Sequence, residues 1–205
     1  MEDVRDLKAL QIDALREVAN IGAGHAATAL SQMTGRRIMI SVPQINIARL
    51  EEVADLLGEP QAVVVAVLMH MLGDLTGRTL LLFPERVGQR LCDMLLRRAQ
   101  GATTGFDALE QSALKEAGNI LSGAYMNALS DFMGMLLLPS VPSLVIDLSA
   151  AVLTTTYLNF GHDRDFVFCV ETEFRIDAEE ELRGHFLLLP DLASLKAIFD
   201  AIRVT

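Results

Sequence analysis

The sequence predicts an α/β (α+β) protein in which an internal duplication places two long surface helices on a central, mostly antiparallel β-sheet. Two observations support this fold class. Residues 13–43 and 112–142 align without a gap at an offset of 99, with 13 identities in 31 positions, whereas average composition gives about 2 or 3 by chance. Farther on, the segments 77–84 and 184–190 share a Gly-x-x-Leu-Leu-Leu pattern with one residue deleted. We therefore expect the two halves to pack about a pseudo-two-fold axis.

The repeats divide the chain into segments of about 6–99 and 105–203, joined by the Gly/Thr-rich stretch 100–105. Each half alone would bury only a small core, so one domain over residues 1–205 is favoured over two independent domains. The chain has 205 residues, of which 51% are hydrophobic. A chain of this size and composition needs neither disulfides nor metal to fold.

Hydrophobic periodicity predicts the helices of each half. A helix over residues 6–34 would bury one apolar face, formed by Leu10, Ala14, Val18 and Ile21. Its counterpart over 108–133 begins after Asp107, and Glu110 is spaced for a capping box. The run 144–155 is ambiguous and favours a helix.

Strands are predicted near residues 37–42, 61–71, 78–83, 165–175 and 184–189. The segment 73–77, which begins and ends with glycine, is typical of a hairpin turn. Pro84 and Pro190 suit the first turns of the helices that close each half.

The charge balance disfavours nucleic acid as a partner. The chain has 17 basic and 27 acidic residues, a formal net charge of −10, and its basic clusters are only pairs, too small for a phosphate-binding groove. The charged N-terminus lacks the apolar segment of a signal peptide, and no apolar run reaches the ~20 residues of a membrane span. We expect a cytoplasmic protein without membrane insertion.

Metal chemistry is not indicated. Cys92 and Cys169 stand alone in apolar surroundings, and the histidines at 25, 70, 162 and 185 lack the spacing of metal ligands. We expect no metal site and no cofactor bound by this chain.

Besides apolar and other small residues, the two long helices repeat a carboxylate, an amide and a glycine on one face. They are Glu17/Glu116, Asn20/Asn119 and Gly24/Gly123. At about 100° per residue, positions 13, 17, 20 and 24 fall within about 60° of one another, as do 112, 116, 119 and 123. The predicted helices over 6–34, after Pro84 and over 108–133 are the first three in chain order, α1, α2 and α3, and we call these two rows of residues the α1 stripe and the α3 stripe.

The residue types of the stripes favour function over structure. Asn costs a helix interior roughly 0.7 kcal/mol relative to Ala, and Gly roughly 1 kcal/mol. Neighbouring positions on the same helices differ freely between the halves. The alternative is that Glu and Asn are solvated helix positions and that the glycines are packing notches.

The stripes also carry a family resemblance. The spacing Asp/Ser, three residues, Glu, two residues, Asn, twenty-two residues, Pro occurs twice, at 13-17-20-43 and at 112-116-119-142. This paired motif resembles the CheC/CheX/FliY family of bacterial chemotaxis phosphatases over nearly the whole chain. Two copies at this length, without an added flagellar-switch domain, are most similar to the CheC branch.

The resemblance implies hydrolysis of the aspartyl phosphate on the response regulator CheY, whose own Mg²⁺ neutralises the phosphate charge. An Asn carbonyl would hold the attacking water, as the Gln of GTPases does, and the Glu would pair with a cationic residue beside the phosphate. The catalytic candidates are Glu17, Asn20, Glu116 and Asn119. The supporting candidates are Asp13, Gly24, Pro43, Ser112, Gly123 and Pro142.

A second partner and a second function stay open. CheC proteins pair with the receptor deamidase CheD, and Asp147, in the apolar segment 144–152, is a candidate docking residue on a surface helix, although an ordinary core-facing helix explains the segment equally well. The stripes would also serve a non-enzymatic adaptor that binds phosphorylated CheY, CheD or both.

Overall fold

The computed structural model describes residues 9–41, 43–48, 60–160, 167–176 and 180–204. The helices in these ranges are α1 (Ala9–Thr34), α2 (Glu85–Leu95), α3 (Ala108–Met133), α4 (Ser149–Phe160) and α5 (Leu192–Val204). The strands are β1 (Ile38–Ile40), β2 (Gln44–Ala48), β3 (Val63–Gly73), β4 (Gly77–Pro84), β5 (Leu137–Pro139), β6 (Ser143–Leu148), β7 (Val167–Ile176) and β8 (Glu180–Pro190).

All eight strands form one antiparallel sheet in the order β1-β7-β8-β4-β3-β5, with β2 also paired to β7 and β6 also paired to β3. The predicted fold class, a mostly antiparallel sheet with long helices, is confirmed. The short strands that follow α1 pair with β7, and those that follow α3 pair with β3. At the centre, Leu80 faces Leu187, and these two residues correspond in the Gly-x-x-Leu-Leu-Leu match. The boundaries 6–99 and 105–203 within one domain stay a prediction, which superposition of the halves tests.

The predicted hairpin turn joins β3 to β4, and its first glycine is required by a close approach. Gly73 has a φ of 114°, and a Cβ there would lie 2.4 Å from the Leu136 carbonyl oxygen. Asp74 N–H donates to the same carbonyl at 2.8 Å, and Leu136 N–H donates to Asp74 Oδ2 at 2.8 Å. The turn is thereby tied to the segment that leads from α3 into β5.

The sheet is covered on both faces, as the alternation along β3 shows. Val65 and Val67 lie in the larger apolar core, which contains residues of α1 and α3. Val64 and Ala66 point to the opposite face and pack in a second cluster that includes residues of α4. Both α1 and α3 lie on the first face, and each also has a side in contact with solvent, as the exposed Glu17 and Glu116 show.

The sequence prediction was wrong or incomplete at three kinds of position. Residues 143–148 form β6 and not a helix, because their side chains alternate in exposure and pair with β3 over its length; only the part from Ser149 is helical. The strands β2 and β5 were missed, since each is too short to show a period of two. Pro84 is the N-cap of α2 and Pro190 ends β8, so each precedes a helix and does not lie in its first turn.

The joint between the halves is held by a buried carboxylate. Asp93, 1% exposed at the end of α2, accepts the backbone N–H groups of Gly101 at 2.7 Å and Thr103 at 2.9 Å. Burial alone would raise the pKa of Asp93, but the Thr103 side chain, these N–H groups and the charge of Arg90 together hold it below the ordinary value of 3.8. The ionised form of Asp93 therefore fixes the stretch that leads into α3.

Candidate active site

The α1 helix buries a face different from the predicted one. Leu15, Val18, Ala23 and Leu30 are buried, and Ala14 is half-buried. Ile21, expected in the core, is 44% exposed. At about 100° per residue it lies away from the middle of the buried arc and one turn after Glu17. The apolar face therefore runs through 15, 18, 22, 26 and 30, and the α1 stripe lies opposite it.

The α3 helix begins as the sequence predicts, but its cap differs in one part. Asp107 accepts the N–H groups of Leu109 at 3.0 Å and Glu110 at 3.5 Å. The Glu110 side chain forms an ion pair with Arg98, whereas a capping box would return it to the Asp107 N–H. Because Glu110 is only 3% exposed, this pair anchors the start of α3 to the joint between the halves.

The α1 stripe presents its polar groups to solvent. Glu17 and Asn20 are exposed, one turn apart, and neither side chain has a hydrogen bond or ion pair within the described residues. Asp13, the first motif residue, accepts from Arg16 at 3.0 Å on the same surface. The Asn20 amide is thus free to bind a water or a partner.

The α3 stripe repeats this arrangement with less exposure. Ser112 and Glu116 are exposed, and Asn119 and Gly123 are half-buried. In the described part of the chain, the side chains of Glu116 and Asn119 have no hydrogen bond or ion pair. Neither stripe asparagine is therefore committed to the protein's own core.

Several repeated residues outside the stripes have structural roles. Leu15 and Leu114 are buried. Ser31 Oγ accepts the Ile38 N–H at 2.9 Å and so ties the end of α1 to β1, and Ser130 Oγ donates to the Met135 carbonyl and so ties the end of α3 to the segment that leads into β5.

Glycines at the ends of the long helices also have a structural role. Gly35 and Gly134 have φ of 67° and 64°, the left-handed conformation that ends a helix. The stripe residues are repeated without any comparable structural task.

The stripe glycines are not packing notches. A Cβ on Gly24 or Gly123 would meet nothing within 4 Å. By contrast, a Cβ on Gly118 would lie 2.6 Å from Val67 Cγ1, and one on Gly22 would lie 2.8 Å from Tyr125 Cδ1. Gly24 and Gly123 thus leave open space on the outer surface at a cost in helix stability of roughly 1 kcal/mol each.

The remaining candidates lie away from the stripes along the sequence. Pro43 is buried and Pro142 is half-buried, each just before an edge strand. Asp147 is exposed near the end of β6, not on a helix as expected, and its Oδ1 accepts the Leu148 N–H at 2.7 Å. The structure places Asp147 two residues before the start of α4.

The sequence did not identify two residues as part of the surface beside the α1 stripe. Ile21 is exposed and repeated as Ile120, and that repetition on the stripe face was the available signal. Thr28 donates from its hydroxyl to the Gly24 carbonyl at 2.9 Å, a contact that carried no sequence signal. The exposed surface therefore extends beyond the motif.

Neither a metal cluster nor a membrane helix is seen in the parts of the chain that the structure covers. Among those residues, no three His, Cys, Asp or Glu side chains come together as a metal site. No described helix has the length and apolar character needed to cross a bilayer. The chemistry available at the stripes is that of carboxylates and neutral amides.

Comparison with known proteins agrees with this geometry. A sequence model of the CheC-like family matches residues 10–47 and 109–146. The CheY-P phosphatase CheC of Bacillus subtilis is 34% identical, over 96% of this chain and 95% of that protein. The flagellar motor switch phosphatase FliY of the same organism is 26% identical, over 62% of this chain and 33% of that protein.

A solved structure shows the same fold. The FliY structure from Thermotoga maritima covers 97% of this chain and 98% of its own, with a TM-score of 0.78 and 24% identity. Fold and motif together define a class of proteins with two motif-bearing helices over one antiparallel sheet. The chain belongs to the CheC-like family, as its paired motif predicted.

Proposed function

We propose that this protein is a hydrolase that removes the phosphoryl group from the phosphorylated aspartate of CheY, and that Asn20 and Asn119 each orient the attacking water. The observation that carries the proposal is the pair of stripes, in which repeated Glu and Asn side chains lie free on the helix surfaces of a CheC-like chain. The relative that matches almost the whole chain is named a CheY-P phosphatase.

The reaction needs little from this chain except positioning. Water attacks phosphorus, a new P–O bond forms, the bond from phosphorus to the aspartyl oxygen breaks, and the products are a carboxylate and inorganic phosphate that keeps the water's protons. The Mg²⁺ that neutralises the phosphate belongs to the regulator. An amide is not a base at neutral pH, but its carbonyl accepts a hydrogen bond from water and fixes its direction. Such orientation supplies on the order of 10²-fold in rate, or about 2.7 kcal/mol.

The glutamates have a docking role in this scheme. Glu17 and Glu116 lie one turn before the asparagines on the same faces, so each would reach a cation beside the regulator's phosphate while Asn reaches the water. A charge-assisted pair of this kind fixes the register of the two proteins. The reaction also requires a shared compartment with the regulator, which is the cytoplasm.

Phosphate release from phosphorylated CheY tests the proposal. The Asn20→Ala, Asn119→Ala double variant should lose hydrolysis and keep most of its binding to the regulator, and each single variant should retain part of the activity. Asn127→Ala is the matched control, because it removes another exposed amide from α3. A double variant that hydrolyses at the wild-type rate would refute amide orientation and favour the adaptor function.

We also propose that Asp147 helps to bind the deamidase CheD. Its support is an exposed carboxylate beside Leu148, which is 41% exposed, immediately before α4. Asp147→Lys should abolish CheD binding in calorimetry and leave phosphate release unchanged. Asp131→Lys, an equal charge reversal at an exposed position on α3, should change neither CheD binding nor phosphate release. Unchanged CheD binding in Asp147→Lys would place the interface elsewhere.

A further inference from the structure

Ile21 has no evident role in folding. It lies in the middle of α1 with 44% of its surface exposed, and an exposed β-branched residue there is less favourable to the helix than alanine. The residue is nonetheless repeated at the equivalent position, Ile120. A repeated apolar side chain that the fold leaves in water indicates a contact with another molecule.

The position of Ile21 connects it to the proposed site. It follows Asn20 directly and lies one helical turn after Glu17, so side chains at 17 and 21 are surface neighbours. Gly24, three residues farther, leaves open space next to it, since a Cβ there would meet nothing within 4 Å. The apolar side chain and the gap in the helix surface thus adjoin the two groups proposed to act on the regulator.

We propose that Ile21 and Gly24 form an apolar docking contact for the phosphorylated response regulator, in which an apolar side chain beside its phosphorylated aspartate packs against Ile21 and over Gly24. The inference rests on the proposed function, because continuity with Glu17 and Asn20 identifies the occupant. The contact adds affinity and not chemistry, so its effect falls on KM.

The two sites are unequal in this respect. Ile120 and Gly123 are half-buried, whereas Ile21 and Gly24 are exposed. Less of Ile120 is available to a partner, so the α1 site should bind the regulator more tightly than the α3 site.

The contact is tested in variants that keep only one of the two proposed catalytic asparagines. Asn119→Ala leaves the α1 site as the active one, and Asn20→Ala leaves the α3 site. Adding Ile21→Ala to the Asn119→Ala protein should raise KM for phosphorylated CheY about fivefold. The exposed part of the Ile21 side chain would be buried when the regulator binds, and the alanine variant loses the free energy of that burial. Ile21→Leu should restore most of the affinity. Ile120→Ala in the second protein should raise KM less.

Controls separate a docking contact from misfolding and from self-association. Leu72→Ala removes a similarly exposed aliphatic side chain, 48% exposed, from the end of β3, and should leave KM unchanged. Thermal unfolding should show that Ile21→Ala is folded. An unchanged KM, or a fall in kcat alone, would overturn the inference. A change in oligomeric state on sedimentation with unchanged KM would also overturn it, by making a second copy of the chain the occupant.

Failure of this inference is distinguishable from failure of the proposed function. If the double asparagine variant is inactive and Ile21→Ala has the parental KM, only the docking contact is wrong. If the double asparagine variant remains active, amide orientation is wrong whatever Ile21→Ala does.

Discussion

Gly22 of α1 lies directly against Tyr125 of α3, so close that a Cβ on the glycine would come within 3.0 Å of the Tyr125 Cα. The tyrosine cannot easily withdraw, because its ring stacks on Phe186 with centroids 4.7 Å apart. The contact therefore sets how closely α1 and α3 approach each other, and it gives Gly22 a packing role that Gly24 does not have.

Gly22→Ala should destabilise the protein by about 1–3 kcal/mol, because overpacking at a backbone contact outweighs the better helix propensity of alanine. Urea unfolding measures the change. A variant as stable as the wild type would show that the helices separate without strain.

Gly24→Ala should have the opposite effect on stability. Nothing within 4 Å opposes the new Cβ, so the substitution should stabilise α1 by about 0.4–1 kcal/mol. In the same variant, KM for phosphorylated CheY should rise, because the methyl group fills the space proposed for the regulator. Urea unfolding and phosphate release are measured on the same preparation. Greater stability with an unchanged KM would show that no partner approaches this point.

Glu17→Ala and Glu116→Ala should each weaken binding of the regulator by about 1–3 kcal/mol, since each removes a proposed docking ion pair. Glu17→Ala is measured in the protein whose α1 site alone is active, and Glu116→Ala in the protein whose α3 site alone is active. The wild-type KM should rise with salt, and the variants should be less sensitive, because exposed charge pairs are screened. Asp131→Ala, which removes an exposed carboxylate elsewhere on α3, is the control. Equal salt dependence in all four proteins would argue against the ion pair.

The fold was predictable because its largest features are local and repeated. The long helices show clear periodicity, and the hairpin β3–β4 has glycine at both ends of its turn. Among the short edge strands β1 was predicted, but β2, β5 and β6 were not, since β2 pairs with β7 and the other two pair with β3, far along the chain. Three to six residues carry too little pattern, and long-range pairing decides their conformation.

The candidate site was predictable from repetition, but its orientation was not. Ile21 was assigned to the core because apolar spacing alone cannot distinguish two faces of a helix rich in alanine. The burial of Ala23 and Ala26 moves the apolar face away from Ile21. Small residues pack where two elements come close, as Gly22 does against Tyr125 of α3, and only the assembled structure shows where that is.

The two thiols should be unreactive in the folded protein. Burial raises the pKa of Cys92 to about 11, with Asp93 adding to the effect, and burial raises the pKa of Cys169 to about 12. Because the thiolate is the nucleophile, iodoacetamide at about pH 8 should modify neither residue before unfolding and both in urea, as mass spectrometry would show. Rapid native modification would mean that these positions open readily.

Asp93→Asn should destabilise the protein in a pH-dependent way. Since the folded-state pKa of Asp93 lies below its ordinary value of 3.8, the stabilising contribution of the carboxylate is fully present above that value and is lost as pH falls through the folded-state pKa. Near neutral pH the substitution should lower the unfolding free energy by about 1–3 kcal/mol, because the NH₂ group of the new amide faces the buried N–H donors of Gly101 and Thr103. The difference in unfolding free energy between the two proteins should narrow as the pH falls below 3.8.

Urea unfolding across this pH range measures the difference, with Asp131→Asn as the exposed control. A difference independent of pH would show that the ionised carboxylate is not what holds the joint.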